Sequence, residues 1–75
     1  MSPELYRMLT SIANAEIDKA RMTLYLLGKH PAGIGDHSTE DFYKNADEAL
    51  TKLAEAEDKL ECLKRNYESA SLELV

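Results

Sequence analysis

Tryptophan is absent from this chain, and cysteine and phenylalanine occur once each, as Cys62 and Phe42. A single cysteine excludes a disulfide within the chain. No Cys/His cluster has the spacing of a structural zinc site. Basic residues are also in short supply, nine against fourteen acidic, for a net charge of −5. Phosphate recognition needs clustered Lys and Arg, so no nucleic acid is expected as a partner. Anionic lipid is disfavoured for the same reason, and no apolar run approaches the roughly 20 residues that span a bilayer. Met1-Ser2-Pro3-Glu4 lacks the basic and apolar segments of a secretory signal. A lone cysteine fits a reducing compartment, and the expected location is cytoplasmic.

Seventy-five residues allow one domain, 1–75, near the lower size limit for folding alone. Such chains are usually stapled by disulfides, a metal or a partner. With the first two excluded, the expected staple is another protein surface, first of all a second copy of the chain.

Helix-breaking residues are few and clustered. Gly28, Pro31, Gly33 and Gly35 fall close together, and the only other breaker is Pro3. Ser2-Pro3-Glu4 reads as a helix start: a serine N-cap, a proline at the first helical position and an acid at the positive helix end. Leu5, Leu9, Ile12, Ala13, Ile17, Ala20, Leu24 and Leu27 then recur at helical spacing, and Met8, Ala15 and Met22 widen the stripe. Gly28 is read as the stop, with Pro31 just beyond it. A first helix is expected over about 3–27 and a loop over about 28–37.

The second helix is expected over about 38–70, with Ser38 and Asp41 as a shortened capping box and Asp36 as a competing cap. Phe42, Ala46, Ala49, Leu53, Ala56, Leu60, Leu63, Tyr67, Ala70 and Leu74 form an unbroken heptad seam. Its alanines let another helix approach closely, and Tyr43 and Leu50 flank it. Glu40–Lys44, Glu48–Lys52, Glu55–Lys59 and Glu61–Arg65 are acid-before-base pairs at i,i+4, worth a few tenths of a kcal/mol each. The fold class is all-α: an antiparallel two-helix hairpin, with the C-terminal end of the longer second helix overhanging. Two helices cover only one side of each apolar stripe. The hairpin is therefore expected to pair into a dimeric four-helix bundle or another homo-oligomer. Phe42, Leu50, Leu53, Leu60, Leu63 and Tyr67 are the candidate interface.

Sites for chemistry are weak. His30, Asp36, His37, Glu40 and Asp41 are metal-competent, but no second i,i+4 ligand pair completes a shell, and capping and turn closure explain them better. Gly33-Ile34-Gly35 lacks the pattern of a phosphate-binding loop, and no strand precedes it. Ile34 is better read as covering the open end of the hairpin. Cys62 has acidic neighbours that disfavour a thiolate, and it reads as a small, partly buried side chain. Tyr6, Tyr25, Tyr43 and Tyr67 are too dispersed, with too few basic neighbours, for a base-stacking platform. The carboxylates of Glu55, Glu57, Asp58 and Glu61 read as a solvated helix face. No catalytic, cofactor or metal residues are assigned, and no enzyme is expected.

The stretch His30-Pro31-Ala32-Gly33-Ile34-Gly35-Asp36-His37 resembles a linker in small uncharacterised proteins of tailed phages, particularly cyanophages. There a Pro-x-Gly-x-Gly-acid-His loop joins two helices. The run Leu53-Ala54-Glu55-Ala56-Glu57-Asp58-Lys59-Leu60-Glu61 also resembles their second helix, so the likeness covers residues 30–63. It implies a phage origin, a helical hairpin and expression in the host bacterial cytoplasm. It brings no activity with it. The candidate loop residues are Gly28, Pro31, Gly33, Ile34, Gly35 and His37.

The leading functional expectation is a non-catalytic interaction or scaffolding module whose partner is itself, or a phage or host protein. The alternative is an acidic inhibitor that mimics nucleic acid on a host protein. Residues 38–75 carry ten acidic and five basic side chains, but the interspersed lysines break up the negative stripe that mimicry favours.

Overall fold

A computed structural model describes residues 1–29 and 39–73, with side chains described for 1–29 and 40–68. Two helices make up the fold: α1, Pro3–Lys29, and α2, Thr39–Glu73. They pack against each other as a hairpin. The molecule is a rod of 54 × 14 × 13 Å. Its length matches the roughly 52 Å of a 35-residue helix at 1.5 Å per residue. Its width suits two backbone cylinders with axes about 8–10 Å apart.

The start of α1 follows the sequence reading. Ser2 Oγ accepts the Leu5 N–H at 3.1 Å, and the Ser2 carbonyl accepts the Tyr6 N–H at 2.9 Å. These bonds satisfy donors that a helix start otherwise leaves open. The end of α1 corrects that reading. Gly28 does not stop the helix, which runs through it to Lys29. No side chain crowds the glycine, since an added Cβ would meet nothing within 4 Å. Lys29 in the last turn places its Nζ 5.4 Å from the centre of the Tyr25 ring, one turn back. It also sits at the negative end of the helix, where a cation is favourable.

Two cross-helix ion pairs mark the alignment. Lys59 Nζ lies 3.8 Å from Glu16 Oε1, and Arg21 Nη2 lies 3.7 Å from Glu57 Oε2. Counting outward from these pairs, Lys29 falls opposite about residues 46–49 and Pro3 falls near the C-terminal end of α2. The first two turns of α2 therefore extend past the end of α1. The expected C-terminal overhang is thus corrected to the loop end, since the buried Ala20 of α1 lies with Ala49 and Ala56 of α2. Helix α2 also runs to Glu73 rather than about 70.

The core is built from small side chains. Ala13, Ile17 and Ala20 of α1 and Ala49 and Ala56 of α2 are buried, and among the described residues no large side chain is fully enclosed. Leu9, Leu24 and Leu27 from α1 are half-buried, as are Phe42, Leu53, Leu60 and Leu63 from α2. Alanines at the line of contact bring the two backbones close, and the leucines lie along its margins. Only one side of each leucine is then covered, so the burial that stabilises an isolated hairpin is small.

Candidate interaction surface

The contact line along α1 follows Ala13, Ile17 and Ala20. About 130° around the helix, at 100° per residue, lies a second line. It comprises Leu5, Met8, Ile12, Ala15, Lys19, Met22 and Leu26, spaced alternately by three and four. Its five large apolar side chains are each 42–57% exposed. Helix α1 thus carries two heptad seams, an inner one against α2 and an outer one facing solvent. The single polar position of the outer seam is Lys19.

A smaller apolar group lies on the opposite edge of the hairpin. Arg21 and Glu57 mark that edge. Tyr25 follows Arg21 by one turn, and Leu50 and Tyr43 precede Glu57 by two and four turns, so all three share it. Tyr43 and Leu50 are 63% and 55% exposed. The Tyr43 ring meets Phe42 edge-on, with centroids 5.9 Å apart. This edge is interrupted by charge toward the C-terminal half of α2, where Glu57, Glu61 and Lys64 continue it.

Between α1 and α2, along the edge marked by Glu16 and Lys59, runs an open groove of about 500 Å³. Ala20, Ala49 and Ala56 form its floor. Glu16, Glu48 and Glu55 alternate with Lys19, Lys52 and Lys59 along its rim. Alternating charges cancel locally, so the groove presents no concentrated field to an ion or a phosphate. Among the described residues no cluster of His, Cys, Asp and Glu could hold a metal ion. Among them, too, no helix is long and apolar enough to cross a membrane.

The interface residues expected from the sequence divide into two groups. Leu53, Leu60 and Leu63 are half-buried in the contact with α1, while Phe42, also half-buried, stands on the turn of α2 that extends past the end of α1. Leu50 and Tyr67 are exposed, at 55% and 39%. The seam of α2 therefore serves the hairpin itself first. Of the loop residues, Gly28 lies in the last turn of α1. Pro31, Gly33, Ile34, Gly35 and His37 fall outside the described residues, as do His30, Asp36 and Ser38. Cys62, expected to be partly buried, is exposed. It is one residue off the seam, and a 100° step carries it away from α1. Its sulfur and carbonyl oxygen accept the Asn66 amide N–H, at 3.5 and 2.9 Å. The carboxylates of Glu55, Glu57, Asp58 and Glu61 are exposed, as a solvated face should be.

The outer seam of α1 is the feature that sequence reading missed. Its signal was present as an uninterrupted three-four spacing from Leu5 to Leu26. It merged with the inner seam into one wide stripe, because apolar residues on both lines overlap along the chain.

No known protein family, no curated protein and no solved structure matches this chain.

Proposed function

We propose that this chain is a non-catalytic interaction module that acts by seating its exposed apolar helix faces on another protein surface, in the first place a second copy of itself. The observation that carries this reading is the outer seam of α1. Five large apolar side chains spaced over six turns stand about half exposed. A row of this length exceeds the scattered apolar residues normal on a monomer and has the form of an association surface. The Tyr43–Leu50 edge offers a second, smaller contact, which a four-helix assembly could cover as well.

The resemblance of residues 30–63 to small tailed-phage proteins supports a phage origin and action in a bacterial cytoplasm. The acidic-mimic reading gains no comparable support, because Lys52 and Lys59 alternate with Glu48 and Glu55 along α2.

The test is the solution mass of the wild type beside Ile12→Glu. Light scattering after size exclusion should give an oligomer for the wild type. The charged variant should shift toward the single chain with its helix content retained. Equal single-chain masses for both, with no partner surface needed for folding, would overturn the reading.

A further inference from the structure

We infer that the occupant of the outer α1 seam is the same seam of a second copy, running antiparallel about a two-fold axis near residue 17, so that Lys19 of each copy lies against Ala15 of the other. The inference rests on the reading of this face as an association surface and adds the partner, the orientation and the register.

The argument starts from Lys19, the one charge in the interior of the seam. A parallel, in-register pair would place the two Lys19 side chains against each other, and like charges in a closing interface repel. An antiparallel pair places seam positions of opposite kind together and separates the two lysines. Two antiparallel registers, one heptad apart, keep the seam in contact. In the first, Lys19 meets Ala15, Met22 meets Ile12 and Leu26 meets Met8. In the second, Lys19 meets Met8 and Met22 meets Leu5.

Charge decides between them. Asp18 and Glu16 flank the seam on either side of Lys19 and are close to Ala15. The first register therefore sets two lysines among four carboxylates, and the small Ala15 side chain leaves room for the lysine stem. Glu16 already pairs with Lys59 at 3.8 Å through Oε1, which is buried. The Glu16 side chain is still 44% exposed, so a second cation can approach its other oxygen. At the ends of the seam, the same register brings Lys29 of one copy to Glu4 of the other. The second register leaves Lys19 one acid, Glu4, a turn away from Met8, and moves it beside Arg7.

The register is tested by cross-linking outside the seam, at flanking positions. In a Cys62→Ser background, Ser11→Cys and Tyr25→Cys chains are mixed and treated with a short bis-maleimide. The expected product is the mixed 11–25 dimer, at least tenfold over either homodimer. An 11–11 product would establish a parallel pair, and an 11–18 product from a mixture with Asp18→Cys would establish the shifted register. Either result overturns this inference while leaving self-association through the seam intact. A cross-link yield no higher than that of urea-unfolded chains, with single-chain mass, overturns both. Lys19→Met provides a second readout. It should let the 11–11 product appear beside the 11–25 product, because the charge that excludes the parallel pair is gone. An unchanged product ratio in Lys19→Met would contradict the role given to this lysine.

Discussion

Lys59 reaches across the hairpin to Glu16, 3.8 Å away, rather than back along its own helix to Glu55. The i,i+4 pattern of α2 offers only Glu55, and Glu16 stands on α1. With Arg21–Glu57 on the other edge, this pair links the two helices in their alignment. Both pairs are at least four-tenths exposed, so their contribution is small. A double-mutant cycle over Glu16→Gln and Lys59→Met, read by urea unfolding, should give a coupling of about 1 kcal/mol or less. A coupling of several kcal/mol would show that this pair is shielded from solvent in a way the hairpin alone does not provide.

The alanine floor of the contact makes a sharper prediction. Ala20 and Ala56 are 5% and 2% exposed, buried between the two helices. Ala56→Leu should destabilise by about 1–3 kcal/mol, because an isobutyl group there forces the helices apart. Ala54→Leu on the exposed side of α2 should change stability by no more than about 0.5 kcal/mol. Equal effects from the two substitutions would mean that the helices do not meet along the Ala49–Ala56 line.

The start of α1 depends on Ser2. Its hydroxyl accepts the Leu5 N–H. Ser2→Ala should cost about 1 kcal/mol and speed hydrogen exchange at Leu5 selectively. Substitution by Asp, an equally good cap, should leave exchange at the wild-type rate or slower.

The exposed thiol of Cys62 should react with iodoacetamide in the native protein without loss of helix content. It lies on the side of α2 away from α1 and holds only the Asn66 amide. Protection of this thiol at high protein concentration, relieved on dilution, would place a partner surface on that side of α2.

Much of this architecture was legible in the sequence, and the reasons are local. Both helices could be placed because their apolar spacing is helical and their breakers cluster, and the Ser2 cap was visible as a residue type in the right place. The alignment was not legible. It depends on which stretch of the α2 seam packs on Ala13, Ile17 and Ala20, and neither helix alone specifies that. This packing puts the overhang at the loop end rather than the C-terminal end. The same limit hid the outer seam. Leu5 and Leu9, or Ile12 and Ala13, look equivalent until the direction of α2 is known. Gly28 was misplaced for a different reason: glycine permits a helix stop but does not impose one, and here the last turn closes over Lys29.

The most direct measurement of whether the outer seam is covered uses isoleucine methyl groups. Ile17 is buried against α2 at 6% exposure, whereas Ile12 stands at 48% on the outer seam of the isolated hairpin. With selectively labelled methyls and a soluble gadolinium probe, the Ile12 and Ile17 signals should be equally protected at high protein concentration, and Ile12 alone should broaden on dilution. Strong broadening of Ile12 at every concentration, in a chain of single-copy mass that stays folded, would contradict the account.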